Sequence, residues 1–413
     1  MNRRVVITGM GAVTPIGNTV KEYWNGLQEG KNGIDFITAF DLENCDVKLA
    51  AEVKDFDAKE RMDAKEARRM DRFCQFAMAS AIEAMDQSGI DLDKIDHNRF
   101  GVIVGSGVGG INTLEKEHIK LLEKGPKRVN PLLIPMNISN MAAGNIAIKF
   151  GAKGICTNIV TACATGSQCI GDAYRNIKHG YADLMIAGGT EAAITPLAIA
   201  GFMNLTALSK SQDKNRASIP FDKERNGFVM GEGAGILVME ELEHALNRGA
   251  YIFAEIVGYG ATCDAFHMTS PATDGEGAAR AMQLCIEEAG ILPSQVSYIN
   301  AHGTSTPYND KFETMAVKTT FGEEGAYKVP ISSTKSMTGH LLGASGAIES
   351  IACVKAIEED FLPPTIGYKV PDEECDLDIV PNVGRKANVE YAMTNSFGFG
   401  GHNATLLFKK YAK

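Results

Sequence analysis

Short apolar runs alternate with longer amphipathic segments along the chain. The apolar runs predict β-strands at 3–9, 100–107, 157–162, 183–189, 251–261, 296–303, 329–336 and 389–401. Segments with apolar residues every three or four positions predict helices at 66–88, 137–150, 163–179, 275–289, 308–321 and 343–359. This alternation predicts an α/β protein with mostly parallel sheets that are covered by helices.

The two halves of the chain follow the same pattern. Residues 157–180, TNIVTACATGSQCIGDAYRNIKHG, form a strand, a turn and a helix of small residues, and residues 331–360 repeat that order. We interpret the repeat as an ancient duplication of one βαβ unit. The predicted halves are 1–250 and 251–413. Since no Pro/Ser-rich linker separates them, we expect their sheets to pack together.

Composition narrows the class of protein. The net charge of −10 over 413 residues is unlike that of a general nucleic-acid binder. No stretch reaches the roughly 18 uninterrupted apolar residues that a membrane span needs. The nine cysteines are scattered and show no C-x-x-C spacing, which indicates a reducing cytoplasm and mostly buried, structural thiols.

One cysteine stands at a position that suits catalysis. Cys163 follows an apolar, β-branched run and precedes a helix that begins with small residues. A thiol at a helix N-terminus lies in the partial positive charge of the helix dipole, which favours the thiolate. Small neighbours also permit a tight turn similar to a nucleophile elbow. Because most cysteines are structural, the position alone makes Cys163 a candidate nucleophile and no more.

Two histidines strengthen that candidate. His302 and His340 each lie between a predicted strand and a predicted helix, flanked by Gly and by Thr or Ser. Loops that follow the strands of duplicated α/β units converge on one crevice, so we expect both histidines to meet Cys163. A metal centre is the less favoured alternative, since closely paired ligands and an H-E-x-x-H motif are absent from the sequence.

A glycine-rich run at 101–110, GVIVGSGVGG, resembles a dinucleotide-binding turn. It lacks a strict G-x-G-x-x-G spacing, and no well-placed acidic residue follows it. Nucleotide binding is therefore only weakly indicated.

A local basic segment interrupts the acidic chain between residues 59 and 72. Five of its basic residues recur at the spacing of one helix face, namely Arg61, Lys65, Arg68, Arg69 and Arg72. Such a face could dock an acidic protein. A simple solvated helix surface is the alternative interpretation.

Several of these segments carry a family resemblance. The sequences around Cys163, His302 and His340, together with 220–250 and the NSFGFGG run at 395–401, resemble the β-ketoacyl-acyl-carrier-protein synthases. The likeness covers nearly the whole chain and is strongest to the elongating synthases II of type II fatty-acid synthesis. It implies a thiolase-like fold, with two similar halves in five α-β-α-β-α layers, and a homodimer.

The resemblance also implies a reaction. These enzymes condense malonyl-acyl carrier protein with an acyl group held on a cysteine, release CO₂ and lengthen the chain by two carbons. They need no cofactor of their own, since the phosphopantetheine arm belongs to the acyl carrier protein. A polyketide ketosynthase subunit, a thiolase that uses coenzyme A and a non-catalytic partner subunit are alternatives. The presence of Cys163 argues against the last of these.

Matching positions receive roles through this resemblance. Cys163 becomes the acyl-accepting nucleophile, and its N–H joins that of the gate residue Phe399 in an oxyanion hole. His302 and His340 form the histidine pair of the elongating class. Lys335 and Glu349 organise the site, and we expect neutral histidines beside Lys335. The remaining assignments are of two kinds. Contacts to the arm or substrate are assigned to Thr304, Thr306, Thr269, Val108 and Phe202. Docking of the carrier protein is assigned to Lys65, Arg68 and Arg69.

Overall fold

The computed structural model describes residues 3–41 and 45–412. Its strands are β1 (Val5–Val13), β2 (Asp35–Phe36), β3 (Leu49–Ala50), β4 (Phe100–Gly105), β5 (Cys156–Thr157), β6 (Leu184–Glu191), β7 (Gly233–Glu241), β8 (Ala254–Cys263), β9 (Tyr298–Asn300), β10 (Ile331–Ser332), β11 (Phe361–Leu362), β12 (Arg385–Lys386), β13 (Tyr391–Gly398) and β14 (His402–Lys409). Most predicted strands are present, while β7 lies in a segment for which no strand was predicted.

The helices also follow the predicted pattern closely. They are α1 (Val20–Glu29), α2 (Ala64–Ala67), α3 (Arg72–Ser88), α4 (Ile111–Lys124), α5 (Leu133–Asn137), α6 (Met141–Phe150), α7 (Thr165–Lys178), α8 (Pro196–Asn204), α9 (Leu242–Asn247), α10 (Glu276–Ala289), α11 (Pro307–Phe321), α12 (Glu323–Ala326), α13 (Lys335–Thr338) and α14 (Ser345–Glu359). Within the described ranges, none is both long and apolar enough to cross a membrane.

Ten strands form one mixed sheet in the order β10-β9-β13-β14-β8-β1-β7-β6-β4-β5. Among the strands of this sheet in the described ranges, the parallel pairs are β4–β5, β4–β6, β9–β10 and β9–β13. The prediction of mostly parallel strands is therefore wrong. The reason is that β7 and β14 return antiparallel beside β6 and β13, and that antiparallel pairing of β1 with β8 joins the two halves.

The helices form three layers, which alternate with the two halves of this sheet. Helices α7 and α14 lie in the middle and pack against strands of both halves, within the largest apolar cluster. Helices α3 and α6 cover the outer face of the first half, and α10 and α11 cover that of the second half. The predicted α-β-α-β-α order is confirmed.

The same close approach of strand and helix occurs in both halves. A Cβ atom at Gly11 of β1 would lie 1.9 Å from the carbonyl oxygen of Ser80 in α3. A Cβ atom at Gly260 of β8 would lie 1.9 Å from the carbonyl oxygen of Ala281 in α10. Only glycine permits this contact. The boundary predicted near residue 250 falls between α9 and β8.

The basic segment does not form the single helix that its spacing predicts. Asp63 and Asp71 cap two separate helices, α2 and α3, through hydrogen bonds from the first-turn N–H groups. The periodicity was misleading because an Asp side chain that accepts such bonds starts a helix rather than continuing one. The residues from Arg61 to Arg72 therefore do not share one helix face.

Candidate active site

One cavity of about 420 Å³ gathers the candidate catalytic residues. Cys163, His302 and His340 all line it. Cys163 follows β5, His302 follows β9 and His340 follows β10 and α13, and the packing of the two halves brings the three side chains into this cavity. The structure thus brings together the three residues that the sequence predicts to meet.

Cys163 lies on a tight turn that leads directly into α7. The turn is a single 3₁₀ turn, Ala162–Ala164, in which Ala162 has a φ of 49°. A non-glycine residue rarely adopts this left-handed conformation, so the turn is strained. The backbone N–H groups of Cys163 and Phe399 lie beside the Cys163 sulfur and lower the pKa of the thiol. The oxyanion hole that the family resemblance assigns to these two N–H groups stays a prediction.

A glycine brings the second donor into place. A Cβ atom at Gly398 would lie 2.4 Å from the carbonyl oxygen of Thr161 and 3.1 Å from the backbone nitrogen of Cys163. Without that atom, the end of β13 lies directly against the cysteine turn. Phe399 follows Gly398, and its ring packs 6.3 Å from the ring of Phe202, which also lines the cavity.

The cysteine is a protonated thiol in the unloaded site. Burial raises the pKa of Cys163 to about 12, although the charge of Lys335 and the N–H groups of Phe399 and Cys163 act in the opposite direction. The expectation that the helix terminus favours the thiolate is therefore wrong for this state. Desolvation of the anion outweighs the helix dipole and the nearby donors.

Both histidines are neutral. Burial, assisted by the charge of Lys335, holds the pKa of His302 and that of His340 well below the usual value for histidine. Their ring centroids lie 5.3 Å apart and the rings are nearly perpendicular. The N–H of Leu342 donates to Nδ1 of His340 at 3.3 Å, and Ser345 Oγ lies 2.8 Å from the same nitrogen. The neutral His340 ring therefore carries its proton on Nε2.

A buried ion pair stands behind the histidines. Lys335 Nζ lies 2.5 Å from Glu349 Oε1 and donates to the backbone oxygen of His302 at 2.6 Å. Burial raises the pKa of Glu349, and the charge of Lys335 acts against that rise. The pair thus fixes the backbone at His302 and places one positive charge where it disfavours a second on either ring.

The predicted arm-binding threonines line the same cavity. The hydroxyl oxygens of Thr304 and Thr306 lie 2.8 Å apart. Thr269 lines the cavity from the loop between β8 and α10. These three residues supply hydroxyl groups on the way to the cysteine, as expected for a polar, amide-containing arm.

Comparison with known proteins identifies the family. Residues 2–245 match the model of the beta-ketoacyl synthase N-terminal domain, and residues 253–369 match that of the C-terminal domain. The chain belongs to the β-ketoacyl synthase family.

Two curated relatives of this synthase carry the same name. The chain is 56% identical over 410 residues to 3-oxoacyl-[acyl-carrier-protein] synthase 2 of Synechocystis sp., covering 99% of this chain and 98% of the relative. It is 55% identical to the protein of the same name from Staphylococcus aureus strain COL, covering 99% of each chain. The predicted family and its condensing acyltransferase activity are confirmed.

Solved structures show the same fold. A β-ketoacyl synthase from Burkholderia phymatum superposes with a TM-score of 0.91 at 37% identity, covering 99% of this chain and 100% of the other. A type II polyketide ketosynthase, bound to a hexaketide and in complex with its acyl-carrier protein, superposes with a TM-score of 0.93 at 36% identity over the whole of both chains. The identity to the polyketide enzyme is lower than that to the curated fatty-acid synthases, which favours the fatty-acid function over the polyketide alternative.

The assignment of Val108 to the acyl pocket of the synthase stays a prediction. Val108 does not line the cavity of the described single chain, and its side chain is 40% exposed. Its backbone N–H donates to Glu191 at 3.1 Å, as does that of Gly107 at 2.9 Å. The glycine-rich run at 101–110 thus wraps the buried carboxylate of Glu191, which explains a turn that resembles a dinucleotide-binding motif.

A second buried carboxylate was absent from the sequence predictions. Glu313 accepts the backbone N–H groups of His302 at 2.9 Å and Gly303 at 2.8 Å, and burial raises its pKa to about 7. It lines the cavity from α11. The available signal was Asp310 and Glu313, two acids spaced three residues apart among the apolar positions of one helix, which indicates acids on a buried face.

The basic residues of the segment divide into two groups. Arg72 forms an ion pair with Glu232 at 2.7 Å, and Arg61 donates to the backbone oxygen of Asn18. Lys65, Arg68 and Arg69 are exposed, and no salt bridge to them occurs among the described residues. These three residues, here called the basic surface, are free to contact another protein.

Proposed function

We propose that this synthase elongates fatty acids by condensing malonyl-acyl carrier protein with an acyl group held as a thioester on Cys163. The observation that carries the proposal is the shared cavity of a cysteine and two neutral histidines, with the backbone N–H groups of Cys163 and Phe399 beside the thiol. This set serves both an acyl transfer and the stabilisation of an enolate.

The first step is transfer of the acyl group. The Cys163 sulfur attacks the thioester carbon, and the N–H groups of Cys163 and Phe399 stabilise the oxyanion. The bond between the carbon and the arm sulfur then breaks, and the arm leaves as a thiol that carries the proton lost by Cys163. Because the resting thiol has a pKa raised to about 12, its proton leaves as the new C–S bond forms rather than beforehand.

The second step forms the carbon–carbon bond. The malonyl group loses CO₂, and the electrons of the broken bond form an enolate on the remaining thioester. His340 donates through its Nε2 proton to the enolate oxygen, and His302 is placed beside it. The enolate carbon attacks the acyl group on Cys163, the C–S bond breaks, and the sulfur takes a proton from solvent. Loss of CO₂ drives the step, so the proposal requires no cofactor beyond the carrier's own arm.

We assign docking of the acyl carrier protein to the basic surface. The three exposed cations at Lys65, Arg68 and Arg69 would contact an acidic carrier, and the structural relative in complex with its carrier supports this partner class. Reversing all three charges should raise KM for carrier-bound substrate about tenfold and weaken its salt dependence. Reversal of exposed Lys94 and Lys328, which lie outside the basic surface, is the control, and unchanged KM in the triple variant would contradict docking here.

A homodimer is also part of the proposal. Strand β5 is a free edge of the sheet in the single chain. Large exposed apolar side chains flank it, including Ile148, Ile155 and Val160. An exposed edge with apolar neighbours fits a second copy of the chain. We further place the enzyme in the cytoplasm, which agrees with nine free thiols.

The function is tested by intact-protein mass measurement. Incubation with acyl-carrier protein should add one acyl mass to the wild-type enzyme and none to Cys163→Ala, whereas Cys263→Ala, which removes an exposed thiol, should still be acylated. An adduct on Cys163→Ala would refute the assignment. Adding malonyl-carrier protein should release a product two carbons longer, while repeated unreduced extension would instead support the polyketide alternative.

A further inference from the structure

The mouth of the cavity carries two stacked aromatic rings. Tyr308 and Phe312 lie four residues apart on α11, their ring centroids are 6.1 Å apart, and their planes differ by 12°. Both line the same cavity as Cys163. Tyr308 is 66% exposed, while Phe312 is half-buried behind it. We call this pair the aromatic ledge.

The ledge stands on a fixed part of the backbone. Arg225 is buried and donates to the carbonyl oxygen of Pro307, the first residue of α11, at 2.9 Å. The buried carboxylate of Asp310 accepts the N–H groups of Phe221 at 2.9 Å and Ser305 at 3.3 Å. These bonds tie the start of α11 to two neighbouring segments, so the ledge is in place before any substrate arrives.

The ledge continues the path that the threonines begin. Thr304 and Thr306 present a hydroxyl pair in the cavity, and Tyr308 follows Thr306 by two residues in the first turn of α11. A phosphopantetheine arm has the same order of chemistry, since two polar amides nearest the thioester are followed by a branched dimethyl carbon. An aromatic face is a good surface for such a compact apolar group.

We propose that Tyr308, supported by Phe312, is a specificity-determining residue that packs against the dimethyl end of the phosphopantetheine arm. The proposal rests on the function proposed above, and it deepens that function by assigning the outer part of the arm to a residue outside the catalytic set. A lone exposed aromatic needs no explanation. This one is backed by a second ring and lies in the wall of the substrate cavity.

The test compares two carrier-free acyl thioesters. Octanoyl-pantetheine contains the dimethyl group, whereas octanoyl-N-acetylcysteamine ends before it. For Tyr308→Ala, loss of about 50 Å² of apolar contact predicts about an eightfold fall in kcat/KM for acylation of Cys163 by octanoyl-pantetheine, expressed in KM. The same variant should acylate with octanoyl-N-acetylcysteamine at the wild-type rate, and Tyr308→Phe should behave as wild type with both.

Tyr251→Ala is the matched control. Tyr251 is 64% exposed and also packs against a second aromatic ring, that of Phe253, but it does not line the cavity. Loss of this ring should leave acylation by both thioesters unchanged. An equal fall in kcat/KM for both thioesters in Tyr308→Ala would overturn the proposal. A fall seen only with carrier-bound substrate would also overturn it, because the ring would then contact the carrier. If neither thioester acylated the wild-type enzyme, the proposed function itself would fail.

Discussion

The two halves of the synthase build the same turn and use it differently. The first turn, Ala162–Ala164, leads into α7, and the second, Leu342–Ala344, leads into α14. Both place a non-glycine residue in the left-handed region, with φ of 49° at Ala162 and 48° at Leu342. The following position is Cys163 in one turn and Gly343 in the other. Duplication thus kept the strained backbone but not the nucleophile.

The residue that faces each turn accounts for the difference. Glu191 ends β6 and accepts the N–H of Gly343 at 3.0 Å, whereas Gly398 ends β13 and lies against the turn that carries Cys163 without accepting its N–H. A Cβ atom at Gly343 would lie 2.7 Å from Glu191 Oε2. The second turn is therefore filled by a carboxylate, and the first is left open for a substrate oxygen.

The comparison shows how a duplicated fold can acquire one active site. An N–H group at a tight turn can serve either stability or catalysis, because one donor cannot be fully occupied by a carboxylate and also stabilise a transient oxyanion. The strand-end residue that faces each turn makes that choice: Glu191 of the first half faces the turn at Gly343, and Gly398 of the second half lies beside Cys163.

The open turn should be the most sensitive to substitution. Gly398→Ala places a Cβ atom against Thr161 and the Cys163 nitrogen, which displaces both oxyanion donors and should lower kcat for acylation about thousandfold. Rapid-quench measurement of the acyl-enzyme gives the rate. Gly325→Ala, where the nearest atom to the new Cβ is a side-chain carbon at 3.5 Å, is the control. Wild-type acylation by Gly398→Ala would contradict the role assigned to this glycine.

The filled turn should respond in stability instead. Gly343→Ala forces its Cβ atom against Glu191 and Gly107 and should lower the free energy of unfolding by about 3 kcal/mol. Urea unfolding measures the loss, and acylation per folded molecule should stay within a few fold. Cys163→Ala, the equivalent position in the other turn, should unfold like wild type. Equal destabilisation by the two variants would remove the distinction between the turns.

The pH dependence of stability separates Glu313 from an ordinary surface acid. Burial raises its pKa to about 7, so the folded state binds this proton more tightly than the unfolded state does. Its contribution is present at low pH and is lost as pH rises towards 7, by about 2 kcal/mol between pH 5 and 7. Urea unfolding at each pH measures this loss of stability. Wild type should show it, and Glu313→Gln should not. Exposed Glu373→Gln should show no such difference, and identical pH profiles for wild type and Glu313→Gln would refute the shift.

Hydrophobic periodicity predicted most of the strands and helices, while the five-layer fold came from the family resemblance. The strands before Cys163, His302 and His340 are apolar and short, so the loops that follow them could be predicted from sequence alone to converge on one crevice. The direction of each strand was harder to predict, because β7 and β14 are as apolar as the parallel strands and nothing in the local sequence indicates an antiparallel neighbour. The break at Asp71 was missed because a regular spacing of basic residues continues across the cap.

The electrostatics of the site depended on contacts that sequence does not reveal. Glu191 binds N–H groups at residues 107, 108 and 343, which are far apart in the chain. The pKa of Cys163 is raised chiefly by burial of the thiol, which the helix dipole alone does not indicate. The wrong expectation of a thiolate came from reasoning about local neighbours where distant ones decide.

The pairing of β1 with both β7 and β8 has a consequence for biosynthesis. Val5 pairs with Glu241 and with Ile256, so β1 must wait during synthesis for partners more than 200 residues later. At 5–20 residues per second, that delay is about 12 to 50 seconds. An apolar strand left without partners for so long is a natural client for chaperones, and nascent-chain profiling should find one bound until β8 emerges.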